Sequence, residues 1–70
     1  MITVDARGLS CPLPVMRTDD AVKASAPSEL EVLVDSGTAK ANVSGWLADE
    51  GYEVSVEQDA DGAYKLTARR

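Results

Sequence analysis

Ile2, Val4 and Ala6 fall on one side of an extended segment and Thr3 and Asp5 on the other, which predicts a short strand. From Pro12 to about Ala24 the period changes. At about 100° per residue, Pro14, Val15, Thr18, Ala21, Val22 and Ser25 share one uncharged arc, the core face of a predicted helix. Arg17, Asp19, Asp20 and Lys23 lie off that arc, and Ala26-Pro27-Ser28 turns the chain. A second strand runs from Glu29 or Leu30 to Asp35. Its nearly continuous Val32-Leu33-Val34 suits a strand that is central in a sheet or covered on more than one side. After the Ser36-Gly37 turn, a second helix is predicted from about Thr38 to Glu50, with Thr38 as its cap and Gly51 at its end. Ala39, Val43, Trp46 and Leu47 form its core face. Trp46 as a stacking platform is the sharper idea, but its spacing matches the apolar stripe and favours a core role. Tyr52, Val54 and Val56 then alternate inward against Glu53, Ser55 and Glu57 in a third strand ending at Gln58. Asp59-Ala-Asp-Gly62 is a hairpin turn, and Ala63 to Arg69 is the last strand, with Tyr64, Leu66 and Ala68 inward.

The order β-α-β-α-β-β predicts an α+β two-layer sandwich, both helices on one face of the sheet and the first two strands parallel. Residues 1–70 read as one domain. A chain this short buries only about 60–65% of its unfolded surface, so its core is thin. No apolar run reaches the roughly 18 residues of a membrane span, and no basic-then-apolar leader opens the chain. The net charge of −5, from 12 acidic and 7 basic residues, disfavours direct binding to nucleic acid. One cysteine and no histidine make a structural zinc site very unfavourable and remove the base of a Cys–His hydrolase. The single cysteine also fits a reducing, cytoplasmic setting.

That cysteine, Cys11, sits where the strand pattern gives way to the helix pattern, after Gly8 and before Pro12. Pro12 suits the first helical position, where its missing N–H would have been unpaired anyway. Cys11 is then at or beside the cap, in the positive end of the helix dipole. A thiolate is stabilised there, below the pKa of about 8.5 of a free cysteine. Pro12 and Pro14 carry no N–H, which leaves the amides of Leu13 and Cys11 to face the sulfur. Arg7 is a candidate for a nearby positive charge, and Asp5 for holding the loop through backbone N–H groups. The bland reading of each is a solvated charge. Without a motif, a lone cysteine is most often a small buried hydrophobe. Leu13 and Met16 lie off the core arc, three residues apart, on the first turn. They form either a partner-docking patch or an unremarkable pair of exposed apolar side chains.

The stretch Asp5-Ala-Arg-Gly-Leu-Ser-Cys-Pro-Leu-Pro-Val15 resembles the signature of the TusA/SirA-like sulfur carrier proteins, whose Cys-Pro-x-Pro motif opens the first helix. Val34-Asp-Ser-Gly-Thr-Ala-Lys-Ala-Asn-Val43 and Gly51-Tyr-Glu-Val54 are most similar to the YedF-type branch. The resemblance implies a mixed four-stranded sheet of order 1-2-4-3 with the last strand antiparallel, similar to the C-terminal domain of translation initiation factor 3. It implies a sulfurtransferase-type role in which Cys11 takes sulfane sulfur as a persulfide, with no cofactor. The donor would be a cysteine desulfurase or a rhodanese-like protein, and the acceptor a downstream sulfur carrier. Asp5, Arg7, Gly8, Leu9, Pro12 and Pro14 are then the supporting motif residues. Asp19-Asp20 departs from the lysines that many members carry there, which points to a different docking partner. The rival from another class is a non-catalytic protein–protein adaptor built on Leu13 and Met16. A thiol–disulfide redox domain would need a second thiol from elsewhere.

Overall fold

The computed structural model describes residues 2–10 and 12–70. Six elements follow one another: β1 (Ile2–Asp5), α1 (Leu13–Ser25), β2 (Glu29–Val34), α2 (Gly37–Asp49), β3 (Glu53–Gln58) and β4 (Tyr64–Arg69). The four strands form one sheet in the order β1-β2-β4-β3, with β1 parallel to β2 and β4 antiparallel to both of its neighbours. This is the α+β architecture and strand order expected from the sequence and the resemblance.

Register explains the layering. Val4 lies opposite Val32, Val32 opposite Leu66, and Leu66 opposite Val56, so these four side chains form one row on one face. The helices cover that face. α1 packs on β1 and against α2, and α2 packs on β3 and β4. Leu30, Val32, Val34, Val43, Leu47, Leu66 and Ala68 are fully buried between the layers. The other face carries Glu31, Glu53, Glu57, Lys65 and Arg69, and among the described residues it has no second layer. The apolar run of β2 is therefore explained by a central strand, with Leu33 half-buried on the open face.

Two inward assignments are corrected. Ser25, placed on the core arc of the first helix, is exposed at its last residue, where its hydroxyl donates to the Ala21 carbonyl. Val56 is 44% exposed although it shares the row of Leu66. β3 is the edge strand. Val54, next to the α2–β3 connection, is half-buried, whereas Val56 is two residues further on, beyond the helical cover. Perfect alternation cannot reveal where the second layer stops.

The helix ends have identifiable chemistry. α2 is capped by Ser36, not Thr38: the Ser36 Oγ accepts the Ala39 N–H at 3.1 Å, in extended backbone (φ −142°, ψ 153°). At the other end, Tyr52 N–H reaches the Leu47 carbonyl (3.0 Å) and Gly51 N–H that of Ala48 (3.1 Å), with Gly51 at φ +90°. This is a Schellman closure, which needs the left-handed conformation that glycine takes without cost. Among the described residues, no helix is long and apolar enough to cross a membrane.

Candidate functional site

Because β1 and β2 are parallel, the loops that leave their C-terminal ends lie side by side, and the β1–α1 loop is pinned at several points. The ladder continues one bond past β1, with Ala6 N–H donating to the Leu33 carbonyl at 2.8 Å and Ala6 itself fully buried. Arg7 then folds back on Asp5. Its Nε donates to Asp5 Oδ1 at 2.9 Å, its Nη2 to Oδ2 at 3.0 Å, and its backbone N–H to Oδ1 at 3.2 Å. Gly8 turns the chain at φ +75°, and its N–H donates to Asp35 Oδ2 of the β2–α2 loop at 2.7 Å. Leu9 is half-buried against the core, and the Ser10 carbonyl accepts the Leu13 N–H at 2.9 Å.

α1 starts one residue later than the pattern suggested. Pro12 is its N-cap, not its first helical residue, with φ −99° and ψ 18°, and its carbonyl takes the first helical bond, from Met16 N–H at 3.1 Å. Pro14, at the second helical position, is buried, and its carbonyl accepts the Thr18 hydroxyl at 2.8 Å. Cys11, the expected nucleophile at or beside the cap, lies outside the described residues. The Leu13 N–H expected to face a sulfur is engaged by Ser10, so that donor is withdrawn from the list. Leu13 is 41% and Met16 53% exposed, side by side on the first turn.

The electrostatics centre on Arg7. Its hydrogen bonds hold the Asp5 carboxyl at a pKa of about 2, and Asp5 in turn raises the Arg7 pKa, helped by the charges of Asp59 and Asp35. The guanidinium is thus compensated locally. The sign for pH follows. Asp5 has a lowered folded pKa, so its clamp favours the folded loop above the ordinary carboxylate range and is lost as pH falls from about 4 to about 2. A side-chain NMR titration is expected to place Asp5 near 2, and Arg7→Met is expected to return it to about 4. A value near 4 in the unaltered protein would mean that the clamp does not hold in solution.

Sequence reasoning named Asp5, Arg7, Gly8, Leu9, Pro12 and Pro14 but missed Asp35. A usable signal existed: it is the first polar residue after the apolar run of the strand paired in parallel with β1.

Comparison with known proteins bears on this arrangement directly. A family model described as sulfurtransferase TusA matches residues 2–70. The chain belongs to the TusA family. A candidate sulfur carrier protein of Halobacterium salinarum is 34% identical over 70 residues, covering 97% of this chain and 86% of its relative. A second candidate sulfur carrier protein, from Methanocaldococcus jannaschii, is 27% identical over 71 residues, covering 100% of this chain and 95% of the other. The crystal structure of a SirA-like protein from Desulfitobacterium hafniense superposes with a TM-score of 0.88 at 30% identity, covering 99% of this chain and 96% of that one.

Proposed function

We propose that this TusA-family chain is a sulfur carrier that holds sulfane sulfur as a persulfide on Cys11. The observation that carries the reading is the family match over residues 2–70, in a sequence whose one cysteine sits in Cys-Pro-Leu-Pro. The Cys11 thiolate attacks the terminal sulfur of a donor persulfide. A new S–S bond forms at Cys11, the donor's S–S bond breaks, and the donor leaves as a thiolate. An acceptor thiolate then attacks the outer sulfur and Cys11 leaves as the thiolate. Sulfur moves at the sulfane level throughout, and this exchange needs no external oxidant, metal or organic cofactor. The donor is a cysteine desulfurase or a rhodanese-like protein, the acceptor a downstream carrier, and the setting the reducing cytoplasm.

The test is to incubate the protein with a cysteine desulfurase and cysteine and to measure intact mass. A gain of one sulfur atom, removable by thiols, is the expected result. No gain with desulfurase and none with a rhodanese-like donor would overturn the reading in favour of an adaptor without sulfur transfer.

Leu13 and Met16 form the docking surface for these partners in the same reading. Leu13→Ser with Met16→Gln is expected to lower loading at limiting donor by about tenfold, the equivalent of about 1.4 kcal/mol of lost apolar contact. Both side chains are exposed, so folding stability should move by about 0.5 kcal/mol or less. Loading rates against donor concentration, set beside a denaturant melt, check both halves.

A further inference from the structure

We infer that Asp35 is a positioning residue for sulfur transfer, its carboxylate standing in for a missing rung of the sheet and so fixing the loop that carries Cys11. The inference rests on the sulfur-carrier reading above for its consequence, but its geometry is independent of it. In a parallel ladder the N–H groups of alternate residues on one strand donate to alternate carbonyls on the other. Ala6 N–H donates to the Leu33 carbonyl. The next rung in that series would run from Gly8 N–H to the carbonyl of Asp35. Here Gly8 has left the extended region at φ +75°, and its N–H donates instead to the Asp35 side chain, Oδ2, at 2.7 Å. The carboxylate reaches where the backbone no longer does. The two chains can therefore part, one into the Cys11 loop and the other into α2, while still tied together.

The rest of the loop shows why this tie matters. Arg7 is bonded to Asp5, two residues before it, and Ser10 to Leu13, three residues after it. Those contacts shape the loop but do not locate it on the domain. Among the described residues from Arg7 to Ser10, the Gly8–Asp35 bond is the hydrogen bond that spans the fold, its partners 27 positions apart in the sequence. It is charge-assisted and short, the stronger kind. Asp35 itself is rooted: Val34 before it is fully buried in the central strand, and Ser36 after it caps α2. A rigid support thus holds a loop that must present a sulfur to a partner, where a misplacement of about 1 Å is costly in rate.

The test compares Asp35→Ala, Asp35→Asn and Ser36→Ala. Asn keeps an oxygen that can accept the Gly8 N–H; Ala does not. Ser36→Ala removes the neighbouring helix cap and leaves the tie. At saturating cysteine desulfurase, Asp35→Ala is expected to load sulfur about tenfold more slowly, with the half-saturating donor concentration unchanged. Asp35→Asn should stay within about threefold of the parent, since a neutral acceptor keeps most of the bond. Ser36→Ala should load at the parental rate below its melting temperature. Amide hydrogen exchange at Gly8, which needs no sulfur chemistry, should accelerate in Asp35→Ala and recover in Asp35→Asn. Parental loading by Asp35→Ala would overturn the inference, as would an Asp35→Asn variant as slow as Asp35→Ala, or unchanged exchange at Gly8. If the parent itself takes no sulfur, the carrier reading fails, and the exchange comparison alone decides whether Asp35 holds the loop.

Discussion

Cys11→Ser is expected to take up no sulfur under conditions that load the parent protein completely. The proposed step needs an ionised, polarisable nucleophile. A serine hydroxyl without an adjacent base is neither, and the sequence contains no histidine to act as one. The local charge makes the thiol the whole of the chemistry. Arg7 is committed to Asp5 through two side-chain hydrogen bonds and further compensated by Asp35 and Asp59, so it does not stand ready to activate a weaker nucleophile. The favourable field that this expectation relies on is the dipole of α1, whose start is capped by Pro12. Intact mass after desulfurase treatment checks the loss, and alkylation of the parent against pH checks its cause. The alkylation midpoint should fall below about 8.5. A sulfur adduct on Cys11→Ser would sink the assignment of the carrier residue. A midpoint at or above that of free cysteine would leave the carrier standing but remove the helix-start account of it.

Much of this arrangement was legible in the chain because two periods rarely mislead when they alternate cleanly. Ile2–Val4–Ala6 and Tyr64–Leu66–Ala68 read as half-covered strands, and Pro14–Thr18–Val22 and Ala39–Val43–Leu47 as helix faces; the buried residues are largely these. What failed lies where one-dimensional pattern ends. Val56 keeps the alternation, but its cover depends on how far a helix extends over an edge strand, which is a tertiary fact. Ser36 and Thr38 are both good caps, and only backbone geometry distinguishes them. Pro12 fits either the cap or the first turn. Strand order was not derivable from the pattern at all and rested on the family resemblance. In the site, motif residues within a few positions of Cys11 could be named, whereas Asp35 acts across 27 positions of sequence. Its mark in the chain is its place, the first polar residue after the apolar run of β2, and that place points to the β1–α1 loop only once the parallel pairing of the two strands is known.

Leu66→Ala is expected to cost about 3 kcal/mol, and Val56→Ala on the adjacent strand less than about 1 kcal/mol. The two residues face each other across β3 and β4 on the same side of the sheet, so strand pairing and side-chain direction are shared and only cover differs. Leu66 is fully buried, in a row with Val32 and Val4 beneath the helices. Its truncation loses the transfer free energy of the removed carbons and leaves a cavity that a thin core can relax only in part. Val56 is 44% exposed, so nearly half of its surface is in water already and truncation loses less buried area than at Leu66. For a chain of 70 residues the whole folding free energy is on the order of 4–10 kcal/mol, so the first loss is a large share of it. The melting temperature should drop by roughly 12–24 °C for Leu66→Ala and by less than about 8 °C for Val56→Ala. Denaturant melts of the two variants check the difference. Equal losses would mean that the helical layer reaches over the edge strand, and that β3 shares the core its alternation advertises.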